Sequence, residues 1–576
     1  MKILLACIVV IWHPAADDGD ALIKAIVTLT GVSSAEELSE GETERFMSLA
    51  SSPLKINSAR RGRLISSGLL SSYQIASVED YRSRHGDILS AAELAMVDGF
   101  GFETAEALAC FLSFEPSTLP GRLPSAGKRT HSMILRTSAA ARDDGNENGQ
   151  GWSAGIKYRY SDEDRGETGF ALRRNYDDGA AFPPPDYTFH AVRYGSRGKV
   201  AIGDYNARFG QGLVLWSGFT TSSLPAVSAF SRKASGVSPS WSYSPENSLR
   251  GLAAERNFGA FRLSAMTAGY GETFAGGANL TWFLKDGQIG VTAYGNPIPG
   301  EKRVKPRISA DMNWNIRGVQ LFSEVAAGFE KASFAFVAGA VSGLPGGGKG
   351  AVRLRSLPAA FSGKKNGEHG ISAGAEFSAG SYVKLRGRSG FGSSEKRHRL
   401  SLTADAAALP VPISGPDRRQ FAAVALYSFR LSPSVSVAMR FSGKWRNYGV
   451  ARREDLRADA EWSDGNWTVR SRLNAVRSEN WGVLCYTDAG YGGKRLSVYF
   501  RAAYYHADSW NDRIYCYERD APGNFNVPAY YGRGFALSLT GSAGLGRGTR
   551  KNKLYFRLSR KKPGKAELKL QYMTVF

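Results

Sequence analysis

Residues 567–576, Glu-Leu-Lys-Leu-Gln-Tyr-Met-Thr-Val-Phe, decide how the rest of the chain is read. Their period is two. Leu568, Leu570, Tyr572 and Phe576 fall on one face with Thr574 between, and Glu567, Lys569 and Gln571 fall on the other. The same alternation recurs upstream. Val435, Val437, Met439 and Phe441 alternate with Ser436, Ala438, Arg440 and Ser442, and Trp467, Val469 and Leu473 alternate with Thr468, Arg470, Arg472 and Asn474. Leu496, Val498 and Phe500 alternate with Ser497, Tyr499 and Arg501, and Phe535, Leu537 and Leu539 with Ala536, Ser538 and Thr540. Gly, Asn, Asp and Ser turns separate these runs. From about residue 130 on, roughly two dozen candidate strands can be counted, too many for one ordinary sandwich but suited to a large barrel.

A chain ending on an aromatic-terminated strand resembles a bacterial outer-membrane β-barrel, in which the last strand pairs with the first and leaves no edge. Composition agrees. After the amino terminus, the 576 residues contain no apolar run long enough for a membrane helix. Helices and closed barrels are the two folds that satisfy every backbone amide in lipid. The expected fold is therefore a large, even-numbered antiparallel barrel of roughly 18 to 26 strands over residues 129–576. Its partners would be outer-membrane lipid, lipopolysaccharide and the machinery that assembles barrels. Lys2, the apolar run Ile3 to Trp12, and Ala16 read as a secretory signal over residues 1–16. Leu4-Leu-Ala-Cys7 has the letters of a lipidation site, though few residues precede it.

Residues 17–115 read as helices, with Ser34/Glu37 resembling a capping box and Asn57 and Ser90 as N-caps. Residues 116–128, with Pro116, Pro120 and Pro124, read as a linker. Within the helical part, Leu94, Val97, Gly99, Phe100, Gly101, Ala105 and Leu108 fit a helix-hairpin-helix pattern. Two glycines allow the tight turn and bring backbone amides near a phosphate, with the N-terminal end of the second helix behind them. The candidate binding residues are Gly99, Phe100, Gly101 and Thr104, with Arg60, Arg61 and Arg63 of a basic cluster that also holds Arg82 and Arg84. Leu64, Gly68, Leu69 and Leu70 form a degenerate first hairpin, with Gln74 where the small residue belongs. Related hairpins bind the DNA backbone. Here Asp98, Glu103 and Glu106 surround the second one, which disfavours phosphate. Docking of a periplasmic protein is the other reading.

The charge is divided. Residues 1–115 carry 9 Lys or Arg and 16 Asp or Glu, and the remainder carries 65 and 36. Arginine recurs on polar strand faces at Arg353, Arg355, Arg397, Arg399, Arg440, Arg470, Arg472, Arg501 and Arg557. If those faces line a lumen, its wall is expected to be cationic and to favour anions; salt bridges to lumenal carboxylates are the alternative.

Gly203-Asp-Tyr-Asn-Ala-Arg-Phe-Gly-Gln-Gly-Leu-Val-Leu-Trp216, Arg513-Ile-Tyr-Cys-Tyr-Glu518 with Pro528-Ala-Tyr-Tyr-Gly-Arg-Gly534, and Pro53-Leu-Lys-Ile-Asn57 resemble the helix-hairpin-helix proteins of Bacteroidota that carry a carboxyl-terminal barrel. The resemblance implies an outer-membrane barrel with a periplasmic helical domain, and marks Gly203, Asp204, Tyr205, Phe209, Gly210, Gln211 and Gly212 as family motif. Read by themselves, the small residues of Phe209-Gly-Gln-Gly212 permit a bend or the approach of an inner loop to which Gln211 can bond. Two irregular stretches, Ala181 to Pro185 and Gly218 to Asn247, are expected to be loops outside the barrel or folded into it. Cys110 is expected as a buried thiol, and Cys485 and Cys516 either pair or stay free.

No catalytic constellation stands out. The seven histidines are scattered without metal-ligand spacing, and there is no G-x-S-x-G elbow. Gly343 to Gly350 lacks the Ser or Thr of a P-loop. The expectation is a non-enzymatic barrel without cofactor or metal that handles an anionic solute or partner, DNA being the specific version. The alternative is a plugged barrel that serves as an anchor or assembly platform.

Overall fold

The computed structural model describes residues 19–117, 129–143, 151–162, 165–178, 184–218, 224–246, 248–270, 273–297, 304–329, 333–362, 367–385, 392–409, 418–493, 495–546 and 551–576. The expected signal segment, the lipidation site, most of the linker and Ala181 to Pro183 lie outside these residues.

Six helices come first: α1 Gly19–Thr30, α2 Glu40–Ser51, α3 Arg61–Ser67, α4 Ser72–His85, α5 Ala91–Leu94 and α6 Gly101–Leu108. They enclose an apolar core that includes Ile26, Phe46, Ile56, Leu64, Val78, Leu94 and Phe111. The two hairpins, α3–α4 and α5–α6, interlock through Gln74. Its side chain closes a capping box with Ser71, and its amide also donates to the Gly99 carbonyl at 2.8 Å. Gln74 thus joins the two helix pairs. Gly99 and Gly101 have φ of 84° and 71°, as the tight turn needs. A parallel ladder of Leu54–Lys55 with Leu112–Ser113 ties the ends of the double hairpin. Asn57 is no N-cap. It is buried and clamps Ile88 and Glu115, donating to both carbonyls and accepting from the Ile88 amide. Ser34 likewise makes no side-chain cap, because Glu37 turns back to Ser33 instead. Ser90 caps α5 as expected.

The remaining chain is a closed antiparallel barrel whose wall has twenty-four strands among the described residues. Lys565–Val575 pairs with Arg129–Arg142, Leu570 opposite Thr137, and His131 stacks on Phe576 at 5.0 Å. Strand parity sorts the side chains as the alternation requires. Phe274, Phe334, Leu456, Leu473 and Phe500 are exposed on the outer surface, while Asn279, Arg472 and Arg501 on the same strands, or their neighbours, face inward. Apolar-out, polar-in is the arrangement of a barrel that crosses a bilayer with strands.

Cys485 and Cys516 are both free. Cys485 shares the outward face of its strand with Trp481, whereas Cys516 is buried inside the lumen. The wall separates them, so no disulfide can form.

Candidate functional site

The lumen is occupied. The helical segment lies inside the barrel, and its acidic side chains meet the inward arginines of the wall. The turn Ala35–Glu37 between α1 and α2 contributes most. Glu36 accepts from Arg472 at 2.5 Å, from Arg457 at 3.0 Å and from the Tyr517 amide at 3.1 Å. Glu37 accepts from Arg440 at 2.6 Å, and Arg440 also donates to the Ser33 hydroxyl at 2.9 Å. Around the circumference, Glu44 pairs with Lys157, Glu103 with Arg399, Glu40 with Arg173 at 3.6 Å, and Lys24 with Glu461 at 2.6 Å. Burial by itself would raise the Glu36 carboxyl, but Arg472 and Arg457 outweigh it and hold the group well below the usual range. At Glu44 burial wins, and the carboxyl is pushed up despite Lys157.

This overturns the expectation of an open cationic wall. The basic residues do line the lumen, but each named one whose side chain is described has a partner. Arg355 is held by Glu368 and Asp405, both contacts under 3 Å, and Arg353 donates to Ser372. Arg470 pairs with Glu461, Arg501 with Asp488 at 2.7 Å, and Arg557 with Glu518 and Glu567. Arg399, Arg440 and Arg472 are taken up by the helical segment. The Arg397 side chain lies outside the described set. The acidic excess of the first 115 residues is thus counter-charge for the barrel.

Two inner loops complete the filling, and they carry the two motifs read in the sequence. The first motif starts on the wall strand Gly198–Arg208, where Gly203 has φ of 96° and lies where a Cβ would collide with Phe189, and Tyr205 donates to the Thr267 carbonyl at 2.6 Å. Asp204 is bonded by Arg250 at 2.9 Å. Phe209 is buried, and the turn after it wraps Glu324 of the wall. The Gln211 and Leu213 amides donate to that carboxylate at 2.6 and 3.0 Å, and Gly210, φ 57°, leaves room for it. A Cβ at Gly212 would strike Arg232. The Gln211 side chain accepts from the Arg232 amide at 2.9 Å, so it does hold an inner loop. That loop reaches the helices: the Ala226 amide donates to the Gly31 carbonyl at 2.6 Å, and Lys233 donates to the Leu69 carbonyl at 3.2 Å. In the second loop, Glu518 bonds Arg557 and Tyr530, Asp520 pairs with Lys569 at 2.9 Å, and Gln571 donates to the Pro522 carbonyl at 2.7 Å.

The hairpin residues are placed differently from the phosphate-binding expectation. Phe100 is buried in the helical core. Arg61 pairs with Glu79 at 3.2 Å and lies over Phe283 of the wall, and Arg63 lies over Tyr194. Arg60 only precedes α3, and Thr104 is half-buried on α6. Arg61 and Arg63 therefore lie against the wall, while Arg60 is exposed and, with Arg63, lines a lumenal cavity beside α2 and α3. Sequence reading missed Glu36, Glu37, Glu44, Lys157, Arg457 and Glu324. The opposed net charges of the two parts were the available signal for all but Glu324, a lone acid on an alternating strand. Among the described residues no group of His, Cys, Asp and Glu has the arrangement of a metal site.

No family model and no curated protein matches the chain. Among solved structures, the barrel is similar to the translocation pore of the P pilus usher PapC (8% identity over 78% of this chain and 99% of that one, TM-score 0.38). It is also similar to the FrpB iron transporter of Neisseria meningitidis (9% identity, 77% and 81%, TM-score 0.38) and to the outer-membrane protein OpdK of Pseudomonas aeruginosa (11% identity, 78% and 98%, TM-score 0.28). At such identities and scores, what this chain does is read from its own geometry.

Proposed function

We propose that this protein is a non-enzymatic outer-membrane barrel closed at rest by its own helical domain and two inner loops, and opened when a partner shifts that domain. The carrying observation is the character of the contact between domain and wall. The helices share one apolar core, to which the wall adds Phe283 and the second inner loop Tyr517 and Phe525, whereas Glu36 and Glu37 meet the wall through ion pairs with Arg440, Arg457 and Arg472. A domain whose core is mostly its own keeps its fold when it leaves, and a polar contact can be re-solvated where an apolar one would resist. The first wall strand starts beside Phe576, so the helical segment enters from the end where outer-membrane barrels have their periplasmic turns. A periplasmic protein is the partner this placement favours. Duplex binding by the hairpins draws no support from Arg61 and Arg63, which face the wall.

Planar-bilayer recording tests the proposal. The full-length protein should stay silent, and a variant lacking residues 19–117 should conduct. Steady ohmic conductance of the full-length protein would contradict closure. The second reading, a plugged anchor, is favoured by the inner loops, which fill the lumen on their own account. It predicts silence in both proteins.

A further inference from the structure

A cavity of about 870 Å³ lies inside the lumen between α2, α3 and the wall, with Ser238 to Ser244 and Ser248 across it. That is the size of a small-molecule site. Arg45 of α2 and Arg208 at the end of the strand Gly198–Arg208 both line it. We propose that this cavity binds a small phosphate-bearing solute between the guanidinium groups of Arg45 and Arg208; the proposal rests on the lumenal docking of the helices.

Most of the lumenal arginines named above are matched to carboxylates, Arg353 with the Ser372 hydroxyl excepted; Arg45 and Arg208 are not matched either. Arg45 donates to the Ser67 carbonyl at 2.7 Å, and its Nε is buried with no hydrogen-bond partner. Arg208 donates to the Ser217 carbonyl at 3.1 Å. Among the described residues neither has a carboxylate within ion-pairing distance; Glu42, which also lines the cavity, does not reach either one. A third cation, Lys233, stands beside Arg45 and donates to the Leu69 backbone carbonyl. Burial and then the neighbouring Arg208 bring Arg45 down to about 10, and burial and then Arg45 bring Lys233 down to about 8. A like-charged cluster in a confined space is a standing cost unless an anion joins it. Guanidinium forks match phosphate oxygens two by two. One fork rides on the helical domain and the other on the wall, so a bound phosphate converts their repulsion into two attractions and fastens the domain in place.

The test uses the full-length protein in detergent, titrated calorimetrically with inorganic phosphate, pyrophosphate and citrate at fixed chloride. Saturable binding of phosphate or pyrophosphate is expected, at least tenfold weaker in Arg45→Gln and in Arg208→Gln and unchanged in Arg560→Gln, whose exposed partner is Asp143. Without ligand, both cavity variants should unfold at or above the wild-type temperature, because each removes a repulsion. Pyrophosphate should raise the unfolding temperature of the wild type and of Arg560→Gln, but of neither cavity variant. No saturable phosphate binding, equal binding in all three variants, tighter binding of citrate than of pyrophosphate, or a lowered unfolding temperature in both cavity variants would each overturn the assignment. These outcomes are separate from closure, which conductance reports: a silent barrel that binds no phosphate loses the site and keeps the plug.

Discussion

Arg472 of the barrel wall and Glu36 of the helical domain lie 2.5 Å apart although 436 residues separate them in sequence. Both are almost shielded from solvent. Asp459 stands beside the pair, 2.6 Å from Arg472 and 2.8 Å from Arg457. Removing the Glu36 charge leaves the two arginines sharing one wall carboxylate. Glu36→Gln should therefore weaken docking by about 3 kcal/mol, the lower end for one partner of a buried pair because Asp459 remains. Protease cleavage of the helical domain in the folded barrel should accelerate accordingly. An unchanged cleavage rate would show that the pair does not hold the domain.

The same carboxyl sets a pH dependence. Its docked value is depressed, so its contribution is fully present above the free value of 4.5 and is lost as pH falls below that toward the docked value. Openings in bilayer recordings should appear on acidification below about pH 4 in the wild type. In Glu36→Gln this acid-induced step should be smaller. Openings that increase instead as pH rises from 5 to 8 would be the wrong sign.

The outer face makes a separate prediction. Leu473 is 56% exposed on a surface shared with Leu456 and Trp467. Leu473→Arg should cost about 2–4 kcal/mol in denaturant unfolding from phospholipid vesicles, as for a cation placed near mid-bilayer. A water-facing surface would accept the change within half a kilocalorie or so.

Gly210 tests the first inner loop. Its φ is 57°, and an added Cβ would lie 2.8 Å from the Glu324 carboxyl carbon. Gly210→Ala should cost about 1–3 kcal/mol through backbone strain and loosen the turn from Glu324. Limited proteolysis should then cut within residues 209–218 or 224–246, where the wild type is expected to resist. Equal resistance would mean that the turn has room to spare.

Much of this was legible. The closing strand reads directly, with Leu568 and Leu570 outward and Glu567, Lys569 and Gln571 inward, because a two-residue period fixes the face. Gln211 was legible as a loop contact, because small residues on either side announce a close approach. The opposed charges of the two parts were visible, but their meaning was not. Nothing local in Glu36 or Glu37 says that a wall arginine some 400 residues later will receive them, so the inward arginines read as a cationic pore until the helices are seen among them. Cys485 and Cys516 show the same limit, since adjacency along the chain does not tell which side of the wall a side chain takes.

The helical domain's place inside the barrel is tested most directly by a cross-link. Ser33 accepts from Arg440 at 2.9 Å across the contact. In a protein whose Cys110, Cys485 and Cys516 are replaced by serine, Ser33→Cys with Arg440→Cys should form a disulfide in the folded barrel and keep the domain attached after proteolysis within residues 118–128. Failure to cross-link, with both cysteines freely labelled by a bulky maleimide in the intact protein, would place the helices outside the lumen.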